Sequence, residues 1–162
     1  MSATRPAGPP ASAADGARPP AGGVRPGDAL PQLEIPVTRT FVVAAAIASR
    51  DFQDVHHDQE RAAASGSPDV FLNILTTNGL IDRFVTAWAG PAAVLTALKI
   101  RLGTPAYPGD TLVVTGEVAG ADADGRVVVA VRCATGAGVH AGGTAEVRLP
   151  GADTGRSIGE AP

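Results

Sequence analysis

Only one cysteine, Cys133, occurs in the 162 residues. That excludes an intrachain disulfide and a structural zinc site of the thiolate kind. Cations are sparse as well: 13 Lys and Arg against 16 Asp and Glu give a net charge of −3, and Lys99 is the sole lysine. Nucleic-acid binders and polybasic membrane-surface proteins draw their affinity from clustered Lys and Arg, so neither partner is expected. No apolar run approaches the ~18 residues of a membrane helix. Residues 1–29 are broken throughout by Pro, Gly and Arg and lack the apolar centre of a secretion signal. Glycine-rich phosphate loops, GxGxxG after a strand or GxxxxGK[ST], are missing too. The expected compartment is the cytoplasm.

What is present supports one packed domain, since 44% of residues are hydrophobic. Residues 1–29 contain almost no large apolar side chain and read as a disordered tail. Residues 151–162 read as a second, flexible one. The domain between them, 30–150, opens with a strand over Leu33–Val37, and Pro36 suits a sheet edge. A helix over Phe41–Ala48 with Thr40 as its cap follows, then a second over Gln59–Ala64. Phe71, Ile74, Leu75, Ile81, Phe84, Val85 and Trp88 recur at three- and four-residue spacing, which predicts a long helix with an apolar face. Asp69 is the expected cap, Gly90-Pro91 the stop, and Gly79 implies a close neighbour across the helix. Four strand-like runs complete the chain: Val94–Leu102, Thr111–Val118, Val127–Ala134 and Val139–Leu149. Turn chemistry at 121–125 and 136–138 makes the last three antiparallel hairpins. One long helix followed by antiparallel strands is an α+β plan, with the sheet wrapped around the helix.

Polar residues gather before that helix: Asp51, Gln53, Asp54, His56, His57 and Asp58. A carboxylate and an imidazole five positions apart converge if the loop curls, and such a pair can orient and deprotonate a water. On the residues alone a solvated acidic turn is the favoured reading. No metal is expected, because adjacent histidines diverge and the spacing matches no standard zinc pattern. Cys133 reads as a buried small hydrophobe and Asp110 as a turn former. His140 carries no readable role.

Asp51-Phe52-Gln53-Asp54-Val55-His56 resembles the hydratase signature of the MaoC-like enoyl-CoA hydratases, a hot-dog-fold family. There an aspartate is followed five positions later by a histidine. The resemblance extends to the short helix containing Ala62 and Ala63, the long helix, and Tyr107-Pro108-Gly109-Asp110-Thr111-Leu112 leading into a strand. More narrowly, RDFQDVHHD and FLNILTTNGLIDRFVTAWAGP are similar to the small MaoC-like subunit of hydratases that act on steroid side chains in cholesterol degradation. Gln53 and Asp54 depart from the broader signature, as does Leu72-Asn73 where a His-Gly pair is usual.

The resemblance implies hydration of the 2,3-double bond of an enoyl-CoA thioester by a water held between Asp51 and His56. Enolate charge on the thioester oxygen would then fall near the backbone of Phe71, Leu72 and Asn73, at the start of the long helix. Asn78, on the same helix, is a candidate lining residue for the acyl chain. No cofactor is implied, because CoA is part of the substrate. The implied partner is a larger chain with another MaoC-like domain and a DUF35 domain. Two alternatives stand beside the hydratase: a hot-dog acyl-CoA thioesterase using Asp51 or Asp54, and a non-catalytic subunit completing a partner's MaoC-like active site.

Overall fold

The computed structural model describes residues 23–150. Five strands form one antiparallel sheet: β1 (Ala29–Pro36), β2 (Val94–Leu102), β3 (Thr111–Ala121), β4 (Arg126–Thr135) and β5 (Gly138–Arg148). Their order across the sheet is β1-β3-β4-β5-β2, so β1 and β2 are the two edges. Pro36, which has no N–H to give, ends edge strand β1. β2 is more open than its alternation implies: none of its residues is fully buried, and Val94 and Leu102 are exposed. A register shift between Leu95 and Ala97 interrupts its pairing with β5.

Three helices precede the second strand: α1 (Arg39–Ala48), α2 (Gln59–Ala64) and α3 (Ile74–Ala89). A one-turn 3-10 helix, Asp54–His56, lies between α1 and α2. The buried face of α3 carries Thr77, Leu80, Ile81, Phe84, Val85, Trp88 and Ala89. It packs on inward-facing strand residues such as Val114, Val118, Val129 and Ala145, giving the expected α+β arrangement. Cys133 is buried among them, and burial pushes its thiol up to about 11.

Several local expectations need correction. The cap of α1 is Thr38, which accepts from Phe41 N, and not Thr40. The long helix starts at Ile74, three residues later than expected, and its cap is Asn73. Asp69 is drawn instead into a two-pronged pair with Arg39, at 2.7 and 2.6 Å, and that guanidinium holds its carboxyl below the usual range. Ile74 and Leu75, in the first turn of this helix, are exposed rather than facing the core. Nothing lies within 4 Å of a Cβ placed on Gly79, so this glycine has no close neighbour. The expected N-terminal tail also ends earlier than residue 29. Gly27 N–H donates to Val118 O, Val118 N–H donates to Asp28 O, and Val24 packs against the core. Residues 1–22 and 151–162, the rest of both expected tails, lie outside the described residues.

Two glycines therefore behave in opposite ways. A Cβ on Gly143 would meet Lys99 O on the paired strand β2, far inside van der Waals contact. Gly143→Ala is expected to cost more than about 2 kcal/mol through forced separation of β2 from β5. Gly79→Ala, in an open helical position, is expected to add ~0.5–1 kcal/mol. Denaturant melts of both variants check the pair.

Candidate active site

Asp51 is placed by the way α1 ends. Arg50 N–H donates to Ile47 O and Asp51 N–H to Ala46 O, the paired bonds of a Schellman stop. The motif needs a left-handed residue at its end, and Arg50 supplies it at φ 57° where glycine is the usual choice. The chain turns sharply there, and the Asp51 side chain meets the start of α3.

Asn73 holds it in that place. Its Oδ1 accepts from Thr76 N–H at 2.9 Å, capping α3, while its Nδ2 donates to Asp51 Oδ2 and to Ser49 Oγ, both at 2.9 Å. Ser49 Oγ in turn donates toward Ala45 O at 2.8 Å. Asp51 Oδ1 receives Gln53 N–H at 3.4 Å. One buried amide thus fixes both the helix start and one carboxylate oxygen.

His56 reaches the same oxygen from the 3-10 turn. Its Nδ1 lies 2.8 Å from Phe71 O. A carbonyl only accepts, so Nδ1 carries the hydrogen of the neutral ring and Nε2 presents its lone pair. Nε2 is 3.5 Å from Asp51 Oδ2, beyond a direct hydrogen bond. The ring and Phe71 pack in a T-shape, centroids 4.9 Å apart. Side-chain exposures of 8% for His56 and 15% for Asp51 leave the pair nearly enclosed. Two acceptors this close together can each take a hydrogen from one water. His57 turns away and bonds Phe52 O through Nε2 at 3.1 Å.

The backbone expectation changes. Phe71 N–H is taken by Val55 O at 3.4 Å and Leu72 N–H by Ala106 O at 3.0 Å. Both lie in the extended segment before α3, so neither amide is free for a thioester oxygen. Free donors begin at Asn73, whose N–H has no acceptor among the described residues. They continue at Ile74 and Leu75, as the first turn of any helix requires. The hydroxyl of Thr76, in that same turn, is buried without a partner among the described residues. Asn78 lines an open groove of about 500 Å³ with Ile74, Leu98, Ile100 and Gly143. Lys99 and Arg101 border the same groove.

Against this geometry the comparisons with known proteins are decisive. The family model for the MaoC like domain matches residues 23–138. The chain belongs to the MaoC-like family. This MaoC-like chain is 46% identical over 123 residues to the 3-oxo-4,17-pregnadiene-20-carboxyl-CoA hydratase beta subunit of Mycobacterium tuberculosis, covering 76% of this chain and 95% of that protein. In structure it is similar to a chain of the ChsH1-ChsH2 complex from Mycobacterium tuberculosis, with TM-score 0.75, 45% identity, and coverage of 77% of this chain and 98% of that one. An (R)-hydratase from A. caviae involved in PHA biosynthesis shares the fold at TM-score 0.71 and 22% identity, covering 78% and 98%. The expected hot-dog fold is therefore the fold of this MaoC-like chain.

Sequence reading had named Asp51, His56 and Asn73, but Asn73 only for its backbone. It missed Ser49 and the left-handed Arg50, for which no glycine signals the stop. Removing the Asn73 side chain tests the whole arrangement. Asn73→Ala is expected to lower stability by ~1–2 kcal/mol through the lost cap and the released carboxylate, measured by thermal melting beside the wild type.

Proposed function

We propose that this chain is an enoyl-CoA hydratase subunit acting on a steroid side-chain CoA thioester, with Asp51 and His56 as its catalytic pair. The observation that carries this reading is the 3.5 Å gap between His56 Nε2 and Asp51 Oδ2, both largely shielded from solvent. The relative's printed activity supports the substrate class.

In this mechanism a water donates one hydrogen to His56 Nε2 and the other to Asp51 Oδ2. As its oxygen bonds the β-carbon, His56 takes a proton and the double-bond electrons move onto the thioester oxygen. The free amides at Asn73 and Ile74 meet that enolate with positive potential that is already oriented. Return of the proton to the α-carbon on the same face completes a syn addition and restores the neutral ring. Each proton transfer by a positioned group contributes roughly 10²–10⁴-fold. The reaction uses no cofactor, CoA being part of the substrate.

The chain is proposed to work beside a second, different subunit, as the relative named a beta subunit and the two-chain complex suggest. Edge strand β2, with exposed Val94 and Leu102, and the exposed Ile74 and Leu75 of α3 supply apolar surface for assembly. The cytoplasm is the proposed compartment, in keeping with a single reduced cysteine. Among the described residues no helix is long and apolar enough to cross a membrane.

The test uses the full chain co-expressed with its partner subunit and supplied with 3-oxo-4,17-pregnadiene-20-carboxyl-CoA. Asp51→Asn and His56→Gln are each expected to lower the hydration rate by at least about 100-fold, read as loss of the enoyl thioester absorbance. A thiol reagent should detect no free CoA. Release of CoA would replace the hydratase by a thioesterase. Full hydration by both variants would reduce this chain to a supporting subunit.

A further inference from the structure

His140 is a second buried histidine, on β5, and the mechanism above leaves it unused. It is 2% exposed. Its Nδ1 lies 2.9 Å from Thr104 O and its Nε2 2.9 Å from Thr77 Oγ1. Burial lowers its pKa; the Thr104 carbonyl and the charge of Asp110 oppose this without reversing it. In the neutral ring Nδ1 holds the hydrogen toward Thr104 O, and Nε2 is an acceptor.

Thr77 is fully buried on α3, and its hydroxyl faces a second acceptor, Asn73 O, at 3.1 Å. One hydroxyl hydrogen therefore lies between two acceptors. A helical threonine ordinarily gives it to the carbonyl four residues back, a bond that tends to bend the helix. Here the imidazole competes for it, leaving Asn73 O to the Thr77 N–H at 3.1 Å. Asn73 is the residue whose side chain holds Asp51.

We propose that His140, acting through Thr77, is a positioning residue for the Asp51–His56 pair: it ties the first turn of α3 to β5 and Thr104 and thereby sets where Asn73 holds the carboxylate. The inference rests on the hydratase reading. Misplacement of a catalytic group by an ångström can cost about 100-fold in rate, so a slackened tie should show in turnover more than in binding.

The experiment measures kcat and KM for the full complex carrying Thr77→Val, Thr77→Ser, His140→Phe or His140→Gln, with Asp51→Asn as control. Thr77→Val keeps the shape and removes the hydroxyl, so it remains informative if His140→Phe fails to fold. The expected result is a kcat lowered about ten-fold or more in Thr77→Val, with KM within about two-fold. Thr77→Ser and His140→Gln, which keep a hydroxyl or an acceptor in place, should recover most of it. Unchanged kcat in folded Thr77→Val overturns the inference, as does equal loss in the Val and Ser variants. If Asp51→Asn also hydrates normally, the dyad itself has failed. If Asp51→Asn is inactive while Thr77→Val is normal, only the positioning role has failed.

Discussion

A single side-chain amide organises the proposed catalytic end of this molecule. Asn73 caps the long helix with its oxygen and holds Asp51 and Ser49 with its nitrogen. These tasks are linked by geometry, because an N-cap side chain must fold back over the first turn of its own helix. The groups it touches on the other side come from the end of α1. The start of one helix and the stop of another are thereby joined at one carboxylate oxygen, and His56 approaches that oxygen from a third element. Each contributor is short and local. The sheet's part is to provide a floor against which α3 cannot shift.

Enclosure matters as much as placement. Asp51 and His56 are nearly buried, and Phe71 packs in a T-shape with the imidazole. Polar groups held in such surroundings interact more strongly than they do in bulk water. The Phe71 carbonyl selects the ring tautomer, leaving the lone pair on the nitrogen that faces Asp51. Helix-terminal amides and the Thr76 hydroxyl, without a partner among the described residues, lie in the adjoining turn. The carbonyl that orients His56 and the helix-terminal amides thus come from opposite ends of one short segment, residues 71–76. The left-handed Arg50 backbone and the Thr76 hydroxyl, buried without a partner among the described residues, are local conflicts of the kind that tends to collect at functional sites.

Much of this was legible in the sequence because it is periodic. The strand runs after residue 94 alternate, the α3 face repeats at helical spacing, and the short helix Gln59–Ala64 has the bounds expected of it. Asp51 and His56 were legible through their spacing and their family resemblance. Caps were harder. Asp69 and Asn73 are both good capping residues four positions apart, and the choice fell to Arg39, thirty residues away, which draws Asp69 off. That shift of three residues decided which amides stay free. His140 was opaque for a similar reason: its partners, Thr77 and Thr104, stand 63 and 36 residues away in the chain. Non-local hydrogen bonds leave no periodic trace.

The central claim is that His56 Nε2 and Asp51 Oδ2 jointly hold the water that is added to substrate. Neutron diffraction from crystals of the assembled enzyme in heavy water tests this most directly. The account predicts deuterium on His56 Nδ1, directed at the Phe71 carbonyl, and one water whose two deuterons point at Nε2 and Oδ2. Deuterium on Nε2 directed straight at Asp51, with no solvent shared between them, would contradict it.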